Sequence, residues 1–273
     1  MIDAHQHVWQ LGRNGHTWPT EAEAGIFRDY GLADFRDMAL PCGVTRTVLV
    51  QSQENAVDTE WLLDLAEGEN RVAGVVGWTD FAAPGAAARI VELAARHKLK
   101  GLRPMVQDKA ADWYDDPVLE PAFAALVDSG LRLDALVRVP HLASLDRLAA
   151  RFPTLAIVID HAAKPRIDAG DGFAEWHAAI APLAAREQVF CKLSGLLTEC
   201  RDAPPDAVEP YANAILDLFG AERTMWGSDW PVLDLAASYA DWFERAQTLV
   251  PAAARERVFR RTAVDFYGLD PVA

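Results

Sequence analysis

The sequence predicts that all 273 residues fold as a single (β/α)8 barrel, because eight short apolar segments alternate with longer stretches of helical periodicity. The short segments are rich in β-branched residues, as buried parallel strands are, and the longer stretches are rich in alanine and leucine. Eight such pairs in about 250 residues are typical of this fold, whose active sites lie at the carboxyl ends of the strands. A doubly wound open sheet, the alternative, would carry a glycine-rich phosphate loop after an early strand, where the sequence has none.

The predicted strands and helices follow one another in regular order along the chain. The strands span residues 1–7, 46–51, 72–78, 99–105, 132–138, 156–161, 188–194 and 224–229. The helices span residues 58–67, 84–97, 117–129, 141–152, 173–186, 205–219, 238–248 and 252–267. Local signals support these boundaries, since Asp116 and Pro117 are typical of a helix start, and Gly130 and Gly220 of helix ends.

Composition narrows the classes of partner and compartment. The chain has 26 lysine and arginine residues against 40 aspartate and glutamate residues, a formal charge of −14 that disfavours nucleic acids and anionic membrane surfaces as partners. No segment approaches the roughly 18 to 20 consecutive apolar residues of a membrane span. Three unevenly spaced cysteines suit neither a disulfide framework nor a thiolate zinc site, so we expect a cytoplasmic protein. The oligomeric state is left open.

Two histidines one residue apart, His5 and His7, end the first predicted strand. Residues two apart in a strand project to the same face, so the two imidazoles should converge on one point. That arrangement is typical of a metal site or of a cluster that polarises a carbonyl group.

Polar residues also stand at the ends of the other predicted strands, where a barrel would bring them together. Because buried polar groups are costly unless they are paired, this polar pole indicates a functional site. Asp229 supplies the carboxylate, as a general base toward water or as a metal ligand, and the alternative is an N-cap. Salt bridges, structural hydrogen bonds or a strand cap are the alternatives for the others. The strand-end residues are Gln51, Arg103, His161, Lys192, Ser194 and Asp229.

Two long loops accompany these residues, and both carry aromatic and polar side chains. They span residues 8–34, after the first strand, and residues 106–116, after the fourth. Long loops on one rim of a barrel usually shape a substrate pocket, so we expect both to contribute to it.

Four motifs in order resemble the amidohydrolase superfamily over essentially the whole chain, and within it the branch of sugar lactonases and pyrone-dicarboxylate lactonase. The motifs are His5-x-His7 and the segments 155–165, 189–196 and 227–231. The resemblance implies a metal held by His5, His7 and Asp229, with His161 matching the histidine of the sixth strand. Arg103 stands where binuclear members carry a bridging ligand, and the fifth strand has no histidine. One Zn²⁺ ion or metal-independent catalysis therefore remain as alternatives.

The sequence and its resemblance together predict hydrolysis of a lactone ring, with a small sugar lactone as partner, such as L-fuconolactone, L-rhamnonolactone or galactonolactone. Asp229 would activate water, while His161, Arg103 and the first-strand histidines would orient or polarise the carbonyl. Gln51 and Lys192 are predicted substrate contacts. A metal-dependent decarboxylase of the same superfamily and a non-catalytic protein that binds a sugar acid or a metal are the alternatives.

Overall fold

Eight parallel strands form the centre of the molecule, in a computed structural model that describes residues 1–168, 170, 172–200 and 203–270. Each strand pairs with the next in sequence order, which confirms the predicted (β/α)8 barrel. The strands are β1 (Ile2–Gln6), β2 (Arg46–Val50), β3 (Val72–Gly77), β4 (Leu99–Leu102), β5 (Arg132–Ala135), β6 (Ile157–Ile159), β7 (Val189–Leu193) and β8 (Thr224–Trp226).

Helices follow the strands and cover the outside of the barrel. They are α1 (Leu32–Ala39), α2 (Ala56–Glu67), α3 (Ala86–Ala94), α4 (Glu120–Asp128), α5 (Leu142–Arg151), α6 (Phe173–Ala184), α7 (Glu209–Arg223), α8 (Tyr239–Leu249) and α9 (Thr262–Tyr267). Within the described residues, no helix is long and apolar enough to cross a bilayer.

The sequence prediction missed α1 and overextended the last helix. Helix α1 lies partly inside the predicted first loop, and its start is marked by the backbone N–H of Gly31, which donates to Asp34 Oδ2 at 2.9 Å. The predicted helix 252–267 is in fact a short 3₁₀ turn, a π-helical stretch at Arg257–Arg261 and then α9. Alanine and arginine favour all these helical forms, so composition alone did not separate them.

The barrel closes between β8 and β1. The N–H of Asp229 donates to the carbonyl of His5 at 2.8 Å, and the N–H of His7 donates to the carbonyl of Trp230 at 2.8 Å. Because these bonds lie just beyond β8, closure itself brings the two ends of the sheet together at the site.

The opposite end of the barrel is filled by the C-terminal helix. Phe266 and Tyr267 of α9 pack with Val48, Val158 and Met225 in a buried apolar cluster. The interior is therefore apolar at this end and polar at the other, which leaves one pole for chemistry.

Candidate active site

Three histidine rings converge on one carboxylate oxygen at the carboxyl ends of the strands. Asp229 Oδ1 lies 3.2 Å from His7 Nε2, 3.5 Å from His161 Nε2 and 3.6 Å from His5 Nε2. All four residues are buried. The predicted convergence of the strand-end histidines with Asp229 is therefore what the structure shows.

Asp3 fixes the backbone on which two of these groups stand. Its Oδ1 accepts hydrogen bonds from the N–H of His5 at 3.1 Å and of Ser228 at 2.9 Å. Its Oδ2 accepts one from the hydroxyl of Tyr239 at 3.1 Å. Burial raises the pKa of Asp3 to about 6, although these hydrogen bonds oppose that shift.

His161 reaches the site from a turn of four consecutive residues with positive φ, which we call the left-handed turn (residues 161–164). Their φ angles are 51°, 52°, 63° and 49°, in a region that non-glycine residues rarely adopt. The ring Nδ1 lies 2.8 Å from the hydroxyl oxygen of Ser194. Gly195 allows this approach, because a Cβ atom there would lie 2.6 Å from His161 Cγ.

Arg103 and Lys192 carry the positive charge beside and beneath His5. Arg103 donates from one terminal nitrogen toward His5 Nε2, 3.2 Å away, and Asp160 Oδ2, 3.3 Å away. Lys192 Nζ lies 2.5 Å from Asp134 Oδ2, 3.0 Å from Asp160 Oδ1 and 3.1 Å from His5 Nδ1. Both side chains are thus held in a buried ionic network, which supports the position of His5 from below.

The surroundings set the protonation states of the groups at the site. Burial alone would raise the pKa of Asp229, but His161, a hydrogen bond from His7 and the nearby His5 lower it well below its usual range. Burial lowers the pKa of His161 to about 4 against the opposing effects of Asp229 and Asp160. Burial and the charge of Lys192 lower the pKa of His5 well below its usual value. At neutral pH the site therefore holds an ionised Asp229 beside neutral His5 and His161.

A cavity of about 520 Å³ opens above these groups. Both predicted long loops contribute to its wall, the first through Thr17 and Trp18 and the second through Gln107, Asp108 and Lys109. The remaining lining residues are His7, Ser52, Gln53, Glu54, Arg103, Met105, Leu136, His161, Lys164, Asp229 and Val232. A larger groove, of about 1010 Å³, lies elsewhere, and none of the predicted site residues lines it.

The predicted substrate contacts Gln51 and Lys192 are not placed at the cavity wall. Both are fully buried, and Gln51 Nε2 donates to the carbonyl of Arg103 at 2.8 Å. Since neither lines the cavity, a direct substrate-contact role does not fit this geometry. Both residues do lie at strand ends, as predicted, but the register of their strands directs the two side chains into the barrel interior.

Sequence reasoning also missed several residues that shape the site. Asp3 stands two residues before His5, and Asp160 directly precedes His161, so the spacing of charged residues around each histidine was the available signal. Asp134 and Lys164 carried no comparable signal, because their importance depends on which strands and turns become neighbours.

The site has the composition of a metal-binding site. Among the residues that the structure describes, one group of ligand atoms lies within 4.8 Å of one another, contributed by His5, His161 and Asp229. His7 lies beside this group, with its Nδ1 2.7 Å from the carbonyl oxygen of Val50 and its Nε2 3.2 Å from Asp229 Oδ1. Nitrogen and carboxylate donors of this kind fit Zn²⁺.

Known proteins resemble this chain over nearly its whole length. An L-fucono-1,5-lactonase of Burkholderia ambifaria is 47% identical and covers 98% of this chain and 96% of its own. The crystal structure of an amidohydrolase from Burkholderia multivorans with bound zinc is 35% identical, with a TM-score of 0.89 over 98% of this chain and 99% of that one. A 5-carboxyvanillate decarboxylase of Sphingomonas paucimobilis, at 18% identity and TM-score 0.62 over 91% of this chain and 86% of that one, shares the fold alone. Residues 2–269 match the Amidohydrolase family, and with the four motifs at the strand ends this match makes the chain a member of that family.

Proposed function

We propose that this protein hydrolyses a sugar lactone to the sugar acid, with L-fucono-1,5-lactone as the substrate to test first. The observation that carries the proposal is an ionised Asp229, ringed by three histidines, at the floor of a polar cavity. The 47% identity to an L-fucono-1,5-lactonase supports the choice of substrate.

The cavity suits a small polyhydroxylated ring. Its volume of about 520 Å³ lies in the range of small-molecule sites. Thr17, Gln53 and Gln107 offer hydrogen-bonding groups, while Trp18 and Leu136 offer apolar surface. A sugar lactone presents both hydroxyl groups and an apolar ring face, so it can use both kinds of wall.

In the proposed reaction, water adds to the lactone carbonyl carbon, and Asp229 takes one proton from that water. The bond between the carbonyl carbon and the ring oxygen then breaks, and Asp229 returns the proton to the leaving alkoxide. Neutral His161 and the charge of Arg103 orient the reacting groups and favour the developing oxyanion. The product acid ionises and releases one proton to solvent, which makes the reaction visible with a pH indicator.

We also propose that His5, His161 and Asp229 hold one Zn²⁺ ion, with His7 beside them. A bound zinc ion supplies Lewis-acid polarisation of an oxygen atom. We expect zinc added to chelator-treated protein to bind with one equivalent and to raise Tm, and Asp229→Asn to lose that rise. Lactonase activity of the chelator-treated protein then shows whether the ion or the histidines and Arg103 polarise the carbonyl.

Replacing the proposed base tests the function directly. We expect Asp229→Asn to keep the fold and lower kcat for L-fucono-1,5-lactone by about 10² to 10⁴, as the loss of a general base does. Circular dichroism and Tm control for folding, and uncatalysed hydrolysis is subtracted. Near-full activity in a folded Asp229→Asn protein contradicts the mechanism, and an inactive wild type across a panel of sugar lactones contradicts the function.

The two alternative functions have weaker support. The relation to a decarboxylase extends to the fold alone at 18% identity, and release of carbon dioxide distinguishes that reaction from lactone opening. A protein that only binds a sugar acid would show ligand-induced stabilisation without turnover. An ionised carboxylate poised at the cavity floor favours catalysis instead.

A further inference from the structure

Lys164, which the proposed mechanism has not used, ends the left-handed turn that begins at His161. Its N–H donates to the carbonyl of His161 at 2.8 Å, so the turn closes over three residues. With about three residues per turn, the first and fourth side chains lie on the same side. His161 and Lys164 accordingly line the same cavity as Asp229.

The turn is held in place from both sides despite its disfavoured backbone. Ala162 and Ala163 are fully buried, and the indole N–H of Trp176 donates to the carbonyl of Ala162 at 2.7 Å. Disfavoured backbone conformations persist where the surrounding structure fixes them, and they cluster at functional sites. The conformation turns two functional side chains, those of His161 and Lys164, toward the cavity.

Among the residues that the structure describes, the Lys164 ammonium has weak contacts with protein partners. Its side chain is 21% exposed, and its ion-pair partner in the described part of the chain is Glu199, whose Oε1 lies 3.9 Å from Nζ. The facing charges of Arg103 and Arg138 oppose its positive charge, while those of Glu199 and Asp229 favour it. Burial lowers the pKa of Lys164, as expected for an ammonium drawn out of water.

Besides Lys164, the described cations of the site and its cavity wall are Arg103, Lys109 and Lys192, and each is held by protein partners. Lys109 Nζ lies 2.9 Å from Glu54 Oε1. Arg103 donates to His5, to Asp160 and to the carbonyl of Gln51. Lys192 is fully buried between Asp134 and Asp160. Among the described cations that line the cavity, Lys164 is thus held least closely by protein acceptors, and its N–H groups can donate to a ligand.

We propose that Lys164 is a catalytic residue of the lactonase reaction, donating a hydrogen bond to the carbonyl oxygen as it becomes the tetrahedral oxyanion. The inference rests on the proposed function. Water adds to the carbonyl carbon, the carbonyl π electrons move to oxygen beside Lys164, and their return expels the ring oxygen, which receives the proton held by Asp229. The same ammonium then contacts the product carboxylate.

Kinetics of three variants test this role. We expect Lys164→Met to lower kcat by about 10² to 10³ with KM changed less than threefold, as the loss of one oxyanion donor does. Lys164→Arg keeps a cation and should recover part of that loss. Glu199→Gln is the matched control, because it removes the ion-pair partner and leaves the ammonium, so it should stay within threefold of the wild type. Equal Tm values show that each variant is folded.

A matched pair of ligands provides a readout that does not need turnover. L-Fuconate carries the product carboxylate, and L-fucitol is the neutral alcohol with the same carbon chain. In calorimetric titrations we expect Lys164→Met to weaken L-fuconate binding at least tenfold and L-fucitol binding less than twofold.

Two outcomes overturn the inference. One is a folded Lys164→Met protein whose kcat stays within threefold of the wild type, or whose defect lies in KM alone. The other is an equal loss of affinity for both ligands, which marks a structural or hydroxyl-binding role. If the wild type opens no lactone, the proposed function fails, while the ligand pair still shows whether Lys164 is an anion contact.

Discussion

Asp3 shows how a single buried carboxylate can organise a site without touching the cavity. It holds the backbones of His5 and Ser228, and so sets the distance between the first-strand histidines and Asp229. Its pKa is raised to about 6 by burial, so keeping it ionised at neutral pH lowers the stability of the folded state. Asp3 is thus a position where stability is given up for geometry.

The pH dependence of stability tests this account of Asp3. The folded-state pKa of about 6 exceeds the ordinary 3.8, so the folded protein binds this proton more tightly and loses stability as pH rises from 4 through 6. Asp3→Asn removes that dependence. Its free energy of unfolding, relative to that of the wild type, should therefore rise by up to about 3 kcal/mol between pH 4 and pH 7. Denaturant titrations of chelator-treated protein measure the difference.

Asp217→Asn, at an exposed position on α7, is the control and should follow the wild type across this range. A stability difference between Asp3→Asn and the wild type that does not change with pH would contradict this account of Asp3.

Residues whose role follows from their own spacing could be predicted from the sequence. His5, His7, His161 and Asp229 all stand at strand ends, and the structure brings them together. The function of Lys192 could not be predicted, because a buried and a cavity-facing lysine look alike in sequence. Its surroundings depend on Asp134 and Asp160, which belong to two other strand ends.

At the scale of elements, all eight strands were predicted, but each ends earlier in the chain than the sequence predicts. Residues 224–229 were predicted as a strand, yet β8 ends at Trp226, and Asp229 has a φ of 62°. Similarly β6 ends at Ile159, before the left-handed turn. A strand that continued would point alternate side chains away from the cavity, so the backbone leaves the strand where the functional side chains begin.

The left-handed turn should respond unusually to glycine. Glycine in a buried right-handed helix costs about 1 to 2 kcal/mol, so we expect that loss for Ala149→Gly in α5. Ala163 is equally buried but has a φ of 63°, and relief of the left-handed conformation should offset the cost for Ala163→Gly. We expect Ala163→Gly to lower the free energy of unfolding by at least about 1 kcal/mol less than Ala149→Gly does, as measured by urea unfolding. Equal losses for the two variants would show that the turn is not strained.

Gly195 supports the same turn from the neighbouring loop. A Cβ atom there would lie 2.6 Å from His161 Cγ, and its φ of 64° disfavours any other residue. We expect Gly195→Ala to displace His161, lower lactonase kcat by tenfold or more and lower stability by about 1 to 3 kcal/mol. Gly170, with a φ of 71° and no atom of the described residues within 4 Å of a Cβ, is the control for backbone strain alone. Retained activity in Gly195→Ala would mean that His161 has room to move.

At the scale of the whole molecule, a chain of polar contacts links the C-terminal helix to the catalytic end. The hydroxyl of Tyr267 donates to Asp134 Oδ2 at 2.7 Å, Asp134 pairs with Lys192, and Lys192 lies 3.1 Å from His5 Nδ1. Burial raises the pKa of Asp134, an effect that the charge of Lys192 opposes. The last helix therefore supports the carboxylate that pairs with Lys192.

Removing one hydroxyl tests that link. We expect Tyr267→Phe to lower the free energy of unfolding by about 1 to 3 kcal/mol, because it leaves the buried Asp134 Oδ2 with one hydrogen-bond partner fewer. Lactonase kcat should stay within threefold, since Tyr267 packs at the far end of the barrel. Tyr114→Phe is the matched control, because its buried hydroxyl has no partner among the described residues and its loss should be nearly neutral. Equal free energies of unfolding for the two variants would contradict the inference that the Tyr267 hydroxyl supports Asp134.

The hydrogen bond between Asp229 and His5 at barrel closure also bears on how the active state is reached. The two residues are 224 positions apart, so no chain lacking its last strand can assemble the site. Contacts this distant in sequence form late, because they require the largest loop to close. Lactonase activity in a refolding protein should therefore return together with final closure of the barrel. The rate at which that activity returns would then measure the rate of this last step.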